Sequence, residues 1–383
     1  MRAKIVKYSV MICVVGFVIG GIFYLNLSSR HKAIVKTQLL HKLSIIDNSW
    51  ETSKTGNMVS FTSPSLLVDG LYKSMEGPKA QGTFQIDSNK EELVWLTSFE
   101  TLSLSSDEKD TLSTDFICHS NIDFFGNNHL TKWNLDSRIG KQYPRLTTMS
   151  NGIEKYKLPE GFGMPIFTNE NLILTTQTLN HNIKNKLINV KHQLNIGYKD
   201  NSISLKPLMS KTVFVMLPYD SQNLFKGPTE KNPSFCLPVE TKNHSYLNEK
   251  GESLSGHWVI FPGKATFSYD ISNQLQLKDS TTMHYIVSHL HPFAETLSFR
   301  DKTLDSTLFT SVAKNYHHKI GLDKVSDFSS EKGILLYPNH KYELVLKTDN
   351  TTNIKQDMMA SMFVFLYDKE VDEKIQANNL IKN

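Results

Sequence analysis

Residues 282–301 read TMHYIVSHLHPFAETLSFRD, and this stretch is typical of two short β-strands with a break between them. Apolar and polar residues alternate on both sides of Pro292, as they do when successive side chains point to opposite faces of a sheet. Similar runs fill the chain from about residue 80 onwards, for example LVWLTSFETLSLS at 93–105 and YELVLKTDN at 342–350. Many short strands separated by Gly, Pro, Asn and Asp clusters predict an all-β fold built from antiparallel β-sandwiches.

The length of this strand-rich region predicts two such domains in tandem. About 320 of the 383 residues follow the N-terminal segments, which is more than one sandwich needs. The pattern is interrupted by SLKPLMS at 204–210. We therefore expect two antiparallel, jelly-roll-like β-sandwiches, an N-terminal one at 56–208 and a C-terminal one at 209–383.

Composition excludes several classes of protein. Hydrophobic residues make up 39% and charged residues 21%, which is typical of a globular protein and unlike a disordered, collagen-like or coiled-coil chain. The net charge of +4 is spread along the sequence without a long basic run, so nothing in it favours nucleic acid as a partner.

The N-terminus predicts a membrane partner. Arg2, Lys4 and Lys7 precede seventeen uncharged residues, Ser9 to Leu25, a length between that of a signal-peptide core and that of a spanning helix. We favour an uncleaved signal anchor at 1–26, with a cleaved signal peptide as the alternative. A polar segment with a short helical pattern follows, and we interpret 27–55 as a stalk. The rest of the chain is then exported to a periplasm, lumen or extracellular space.

Three cysteines are too few for a disulfide scaffold. Cys13 lies in the apolar segment, so Cys118 and Cys236 are the cysteines of the exported part. In an oxidising compartment these two can form a disulfide bond, and the alternative is two separate buried thiols.

The residues that carry chemistry lie in the C-terminal half. His289 and His291 are two positions apart on a predicted strand, so their imidazoles share a face and can bind one metal ion. Met358 and Met359 belong to a second predicted strand about 70 residues later. A thioether is a soft ligand that favours copper, although a methionine in such a run is most often core filler.

Together, the His-x-His strand and the later Gln-Asp-Met-Met strand resemble the copper type II, ascorbate-dependent monooxygenases of the peptidylglycine α-hydroxylating and dopamine β-monooxygenase type. The resemblance covers roughly residues 80–370, is best in the C-terminal half, and agrees with tandem β-sandwiches. It implies that copper is the cofactor, held by His289, His291 and Met359, with Met358 as the adjacent alternative. It also implies an electron donor and O₂-dependent hydroxylation of a C–H bond in a small-molecule or peptide substrate.

In the same family the first domain holds a second copper through an adjacent His-His pair and a later His. This chain has Cys118-His119 in the comparable stretch, and His181 is offset from the later position by about two residues. Either the site persists in altered form as Cys118, His119 and His181, or it is lost and Cys118 is structural. A lost site favours a second hypothesis, a non-enzymatic membrane-anchored envelope protein that binds copper or partner proteins on the same scaffold.

Overall fold

The structure is a computed structural model that describes residues 2–27, 29–74, 76–219, 221–222, 250–252 and 254–378. It is mostly β, with several sheets and an N-terminal apolar helix. The α-helices are α1 (Arg2–Leu25), α2 (Ser29–Lys42), α3 (Gly126–Lys132), α4 (Ser272–Leu275) and α5 (Lys369–Ala377).

The described residues also contain two short 3-10 helices, Thr114–Phe116 and Asp136–Arg138, and twenty-four strands. Twelve lie before the chain reaches residue 215: β1 (Glu51–Thr55), β2 (Met58–Thr62), β3 (Leu66–Val68), β4 (Lys79–Phe84), β5 (Leu93–Ser105), β6 (Ile117–Phe124), β7 (Arg145–Ser150), β8 (Lys155–Lys157), β9 (Phe162–Phe167), β10 (Leu172–Thr178), β11 (Ile188–Asp200) and β12 (Lys206–Phe214). Twelve follow: β13 (Leu217–Pro218), β14 (Leu254–Ser255), β15 (Trp258–Ile260), β16 (Gly263–Asp270), β17 (Thr281–Leu290), β18 (Ala294–Asp301), β19 (Ser306–Asn315), β20 (Leu322–Val325), β21 (Phe328–Leu336), β22 (Tyr342–Asn350), β23 (Gln356–Met358) and β24 (Ala360–Tyr367).

One sheet of eleven strands runs through the molecule in the order β1-β2-β11-β5-β9-β12-β24-β17-β21, with β3 beside β11 and β8 beside β5. Its pairings are antiparallel except that of β9 with β12, which is parallel. This pair joins the first half of the chain, residues 51–200, to the second half, residues 206–368. The expected domain boundary at 208/209 falls inside β12.

Two smaller sheets complete the halves. The first half contributes a four-stranded sheet in the order β4-β10-β6-β7, and the second half a five-stranded sheet in the order β16-β22-β18-β19-β20. Two short pairs, β13 with β14 and β15 with β23, also belong to the second half. One continuous cluster of buried apolar side chains extends through both halves, from Val59 to Ile375.

The strand β24 explains why residues 360–367 read as an almost continuous apolar run. It lies between β12 and β17, and all but its last residue are buried. Phe365 on this strand contacts Tyr156 of the first half, with ring centroids 6.2 Å apart. A strand covered on both faces needs apolar side chains at successive positions, so the usual alternation is lost.

Within α1, Val6–Leu25 is twenty residues long with a mean hydropathy of 2.2, enough by length and composition to cross a membrane. None of this segment is buried against the rest of the described chain. A signal sequence has the same properties.

The segment 27–55, expected to be a stalk, packs against the body of the protein. Ala33, Thr37 and His41 are buried along one face of α2, since residues four apart lie on the same side of a helix. The His41 Nε2 atom lies 2.8 Å from the carbonyl oxygen of Ser65. Further along, β1 forms a hairpin with β2 and so extends the large sheet.

A buried lysine strengthens this packing. The Lys191 ammonium group lies 2.9 Å from the carboxylate of Asp47, 3.2 Å from that of Glu51 and 2.6 Å from that of Glu108. These groups raise the pKa of Lys191 although burial acts in the opposite direction. The charged group therefore holds residues 47–51, which follow α2, to β11.

Polar contacts fasten the first half to the second. Arg138 binds Asp368 and Glu370 at the start of α5, with its Nη2 atom 2.8 Å from Asp368 and 2.7 Å from Glu370. Gly152 has a φ of +90°, and its carbonyl oxygen accepts a 2.7 Å hydrogen bond from the Val325 amide. A Cβ atom on Gly152 would lie 3.0 Å from the Leu322 Cβ atom, so this contact depends on glycine.

We expect Arg138→Ala to lower the free energy of unfolding by about 3–5 kcal/mol, because it leaves the buried Asp368 carboxylate without its charge partner. Urea unfolding of the detergent-solubilised protein, followed by tryptophan fluorescence, measures the change. Lys369→Ala is the control, since the Lys369–Glu373 pair is exposed and should contribute less than about 1 kcal/mol. Equal stability losses in the two variants would contradict this role of Arg138.

Candidate metal centre

The pairing of β17 with β24 brings His289, His291 and Met359 together in the fold. His289 lies opposite Ser361, and Leu290 lies opposite Ala360. One position further, the His291 amide donates a 3.3 Å hydrogen bond to the carbonyl oxygen of Met359. The rings of His289 and His291 are 5.5 Å apart between centroids, and all three residues are buried.

His257 lies beside His291, although its position in the sequence does not predict it as part of the metal site. The pairing of β15 with β23 sets Trp258 opposite Met358, which places His257 next to Met359. Its ring centroid is 5.7 Å from that of His291, and only 3% of the residue is exposed. The feature that brings His257 here is the pairing of two strands 100 residues apart, which the spacing of residues along the sequence does not reveal.

His257, His291 and Met359 each lie just outside a strand, whereas His289 lies within β17. His257 precedes β15, His291 follows β17, and Met359 is the single residue between β23 and β24. Pro292 has no backbone N–H and so cannot continue the hydrogen bonding of β17. The cluster therefore forms where the chain passes from the large sheet into the smaller pairs.

Burial keeps the two predicted histidines uncharged. Burial, together with the nearby Arg145 and His257, lowers the pKa of His289 to about 4. The pKa of His291 lies well below its ordinary value, again chiefly through burial and then through His289, His257 and His181. Both rings are therefore neutral at physiological pH, which is the form that binds metals.

Within the described part of the chain, Nδ1 of His289 and Nε2 of His291 are buried without a hydrogen-bond partner. The ring of His291 is held from its other side by a hydrogen bond with the backbone of Asp357. A hydrogen bond on one nitrogen fixes the ring and leaves the lone pair of the other for a ligand. Buried polar atoms without partners are uncommon, and a metal ion would satisfy both.

The ring separations are close to those of a shared ligand set. Two imidazoles bound tetrahedrally to one ion place their centroids about 5 Å apart. The observed separations of 5.5 and 5.7 Å exceed this by roughly half an ångström. Within the described ranges, no three His, Cys, Asp or Glu side chains are already arranged as a metal-binding group. A centre of two imidazoles and one thioether contains only two such side chains.

The predicted first-domain residues have different surroundings. His119 lies on β6, buried opposite Ser150 and Gln177, with its Nδ1 atom 3.4 Å from the Cys118 Sγ atom. In the described part of the chain, Cys118, His119 and His181 do not form a metal-binding group. Cys236 lies outside the described residues, and so does its predicted disulfide bond with Cys118.

His181 belongs to the first half of the chain but lies close enough to His291 to affect its pKa. It follows β10 by three residues, and its Nε2 atom is buried with no hydrogen-bond partner in the residues that the structure describes. Burial, and to a lesser extent Lys73, lowers its pKa to about 4. His181 in turn helps to lower the pKa of His291. A histidine of the first half therefore contributes to the lowered pKa of His291.

No protein-family model matches this chain, and no curated protein matches it. Among solved structures, the crystal structure of the STIV MCP is 10% identical and has a TM-score of 0.30, covering 85% of this chain and 98% of that one. The infectious bursal disease virus VP2 subviral particle is 9% identical with a TM-score of 0.19, covering 90% of this chain and 80% of that one. A structure of the Gx strain of the same virus is also 9% identical with a TM-score of 0.19, covering 84% and 74%. TM-scores this low carry no argument about fold or function.

We expect the free energy of unfolding to fall as the pH decreases from 6.5 to 4. His181, His192 and His289 each have a folded-state pKa of about 4, below the ordinary 6.5, so in this range the unfolded chain binds more protons than the folded one. The contribution of these neutral histidines to the free energy of unfolding is fully present above pH 6.5. By pH 5 the free energy of unfolding should decrease by roughly 2 kcal/mol for each of them. Urea unfolding at pH 7, 6 and 5 measures the slope.

Replacing His289 with Gln should reduce that slope by the contribution of one histidine. His317→Gln is the matched control because His317 is exposed, and it should leave the slope unchanged. The same slope in His289→Gln and in the wild-type protein would show that His289 is not buried in its neutral form.

Proposed function

We propose that this protein binds copper at a buried centre formed by His289, His291 and Met359. The observation that carries the proposal is the pair of buried ring nitrogens, Nδ1 of His289 and Nε2 of His291, that have no hydrogen-bond partner among the described residues. Two neutral imidazoles and the thioether of the adjacent Met359 would form a soft donor set, which copper prefers to hard cations such as Mg²⁺ or Ca²⁺. Met358 is the less suitable methionine, since it belongs to β23 and lies opposite Trp258.

We further propose that the two halves are tandem antiparallel β-sandwiches of the jelly-roll type. Each half has a set of strands from the large sheet and a smaller sheet of its own. In the first half, a 2.9 Å hydrogen bond between the hydroxyls of Thr101 on β5 and Ser120 on β6 joins the two layers. In the second half, Phe309 on β19 contacts Phe328 on β21, with ring centroids 5.7 Å apart.

The proposed location is a membrane surface, with α1 as an uncleaved anchor and the remaining chain exported. The length and hydropathy of Val6–Leu25 support the anchor. Packing of α2 and β1 against the body would then hold the copper-binding part close to the bilayer.

In the enzymes that this sequence resembles, bound copper supplies the activation of O₂ for C–H hydroxylation. The residues of this chain would bind the metal through His289 and His291, orient the His291 ring through the Asp357 backbone, and exclude water from the centre. The burial of His257 and His291, each 3% exposed, favours a binding role over hydroxylation, since hydroxylation requires substrate access. The first-domain residues Cys118 and His119 belong to the monooxygenase hypothesis and not to this binding site.

The detergent-solubilised protein should bind one Cu(I) ion per chain, measured by metal analysis and by competition with a chromogenic chelator. His289→Gln should weaken binding by at least about 100-fold, and Met359→Leu by about 10-fold, because each removes one ligand. Met358→Leu is the matched control, since it changes the neighbouring methionine with little change in volume and should leave affinity unaltered. Absence of stoichiometric copper, or equal affinity in all variants, would reject the site.

Oxygen consumption separates the binding role from the monooxygenase hypothesis. With ascorbate as reductant, the copper-loaded protein should consume no more O₂ than its His289→Gln variant, because the buried centre admits no substrate. Sustained consumption that requires both copper and His289 would instead support the monooxygenase.

A further inference from the structure

We propose that α2 lies on the surface of the bilayer that α1 enters, with its exposed apolar face in contact with lipid and its lysines beside anionic headgroups. The inference rests on the proposed membrane anchor and is independent of the copper site. It adds a second contact with the membrane, made by a helix that belongs to the folded body. Its test can fail while α1 remains an anchor.

The two sides of α2 have different surroundings. One side packs on the body of the protein, as described above. On the opposite side, Val35, Leu39 and Leu43 follow one another at intervals of four residues, which sets them in a row along the helix and its last turn. They are between 42% and 59% exposed. Single exposed apolar residues are normal on a protein surface, but an apolar stripe of this kind indicates a contact surface.

The position of α2 in the chain indicates what covers this stripe. The apolar segment of α1 ends at Leu25 and α2 begins at Ser29, with only residues 26–28 between them. This connection spans at most about 14 Å. If α1 crosses the bilayer, α2 therefore begins in or next to the headgroup layer, which is roughly 5–7 Å thick on each side. Because the body occupies one side of α2, the stripe on the other side is left for the lipid.

The charges around the stripe fit an anionic surface. Residues 29–46 contain four lysines and arginines and no Asp or Glu. Lys42 is exposed on the side of the stripe, and Lys32 is half-buried beside it, whereas Lys36 forms an ion pair with Asp69. Basic residues next to a spanning helix attract anionic headgroups, and their alkyl stems can lie along apolar surface. Apolar side chains flanked by lysines are typical of helices that lie in the plane of the interface.

A second copy of the chain is a poorer occupant of this face. A symmetric contact would place the same patch of both chains together, and it would bring their lysines face to face. No acidic residue of α2 is available to compensate, since the helix contains none. An anionic bilayer covers the apolar stripe and neutralises the lysines at the same time.

The experiment uses the full-length protein in nanodiscs of an equal mixture of phosphatidylcholine and phosphatidylglycerol, with one chain in each disc. Leu39→Cys places a thiol in the stripe. Leu304→Cys is the matched control, because Leu304 is exposed to a similar degree in the turn between β18 and β19. Reaction with a water-soluble maleimide, followed by mass spectrometry of the peptide that carries the thiol, should be at least about tenfold slower at position 39. In phosphatidylcholine alone the rate at position 39 should rise by about threefold, because the lysines lose their anionic partners.

A second measurement needs no variant. Phosphatidylglycerol with a photoreactive group near its headgroup should crosslink to the peptide that contains residues 35–43 and not to the peptide that contains Leu304. Equal maleimide rates at positions 39 and 304, or no crosslink to α2, would overturn the docking of α2. Equal rates at position 39 in the two lipid compositions would overturn the role of anionic headgroups. Protection that needs two chains in one disc would assign the face to a second copy and overturn the proposal as well.

Extraction of protein-containing vesicles with alkaline carbonate tests the anchor separately. If the protein stays with the lipid while position 39 reacts as fast as position 304, α1 is an anchor and only the docking of α2 is wrong. Release of the protein would overturn the anchor and, with it, the placement of α2.

Discussion

The burial of β24 between β12 and β17, with the first half of the chain packed over it, is the constraint on which the rest of the structure depends. It forces an apolar run at 360–367 and connects the two halves through one sheet. It also fixes the register that sets Ser361 opposite His289 and Met359 beside His291. Because a shift of one residue would move every side chain of a strand to the other face, the core that stabilises β24 also positions the histidines.

A cluster of neutral histidines in such an interior opposes stability at low pH and is retained at some cost. Burial lowers the pKa values of His289 and His291, so folding must keep both rings uncharged. A cation shared between the ring nitrogens of His289 and His291, as proposed, would offset this cost.

Local periodicity predicts the β class and the common face of His289 and His291, because both follow from the two-residue repeat of a strand. It does not predict His257, whose position depends on pairing between β15 and β23, nor the relation of His181 to His291 across the two halves. Local periodicity also does not predict the packing of the segment 27–55 against the body of the protein. That packing depends on contacts of Lys191 with Asp47 and Glu51, which lie about 140 residues away in the sequence. What local spacing misses is contact between segments distant along the chain.

The position of the cluster at strand ends determines how a bound ligand would affect the local stability of the fold. Regular strands hold their side chains through continuous ladders of hydrogen bonds, whereas His257, His291 and Met359 lie where those ladders stop. A metal ion bound by His291 and Met359 would add a link between the end of β17 and the junction of β23 with β24, beyond the pairing of β17 with β24. The same residues would then determine both metal affinity and the local stability of the junction between β23 and β24. Metal binding and order at this junction are therefore expected to rise and fall together.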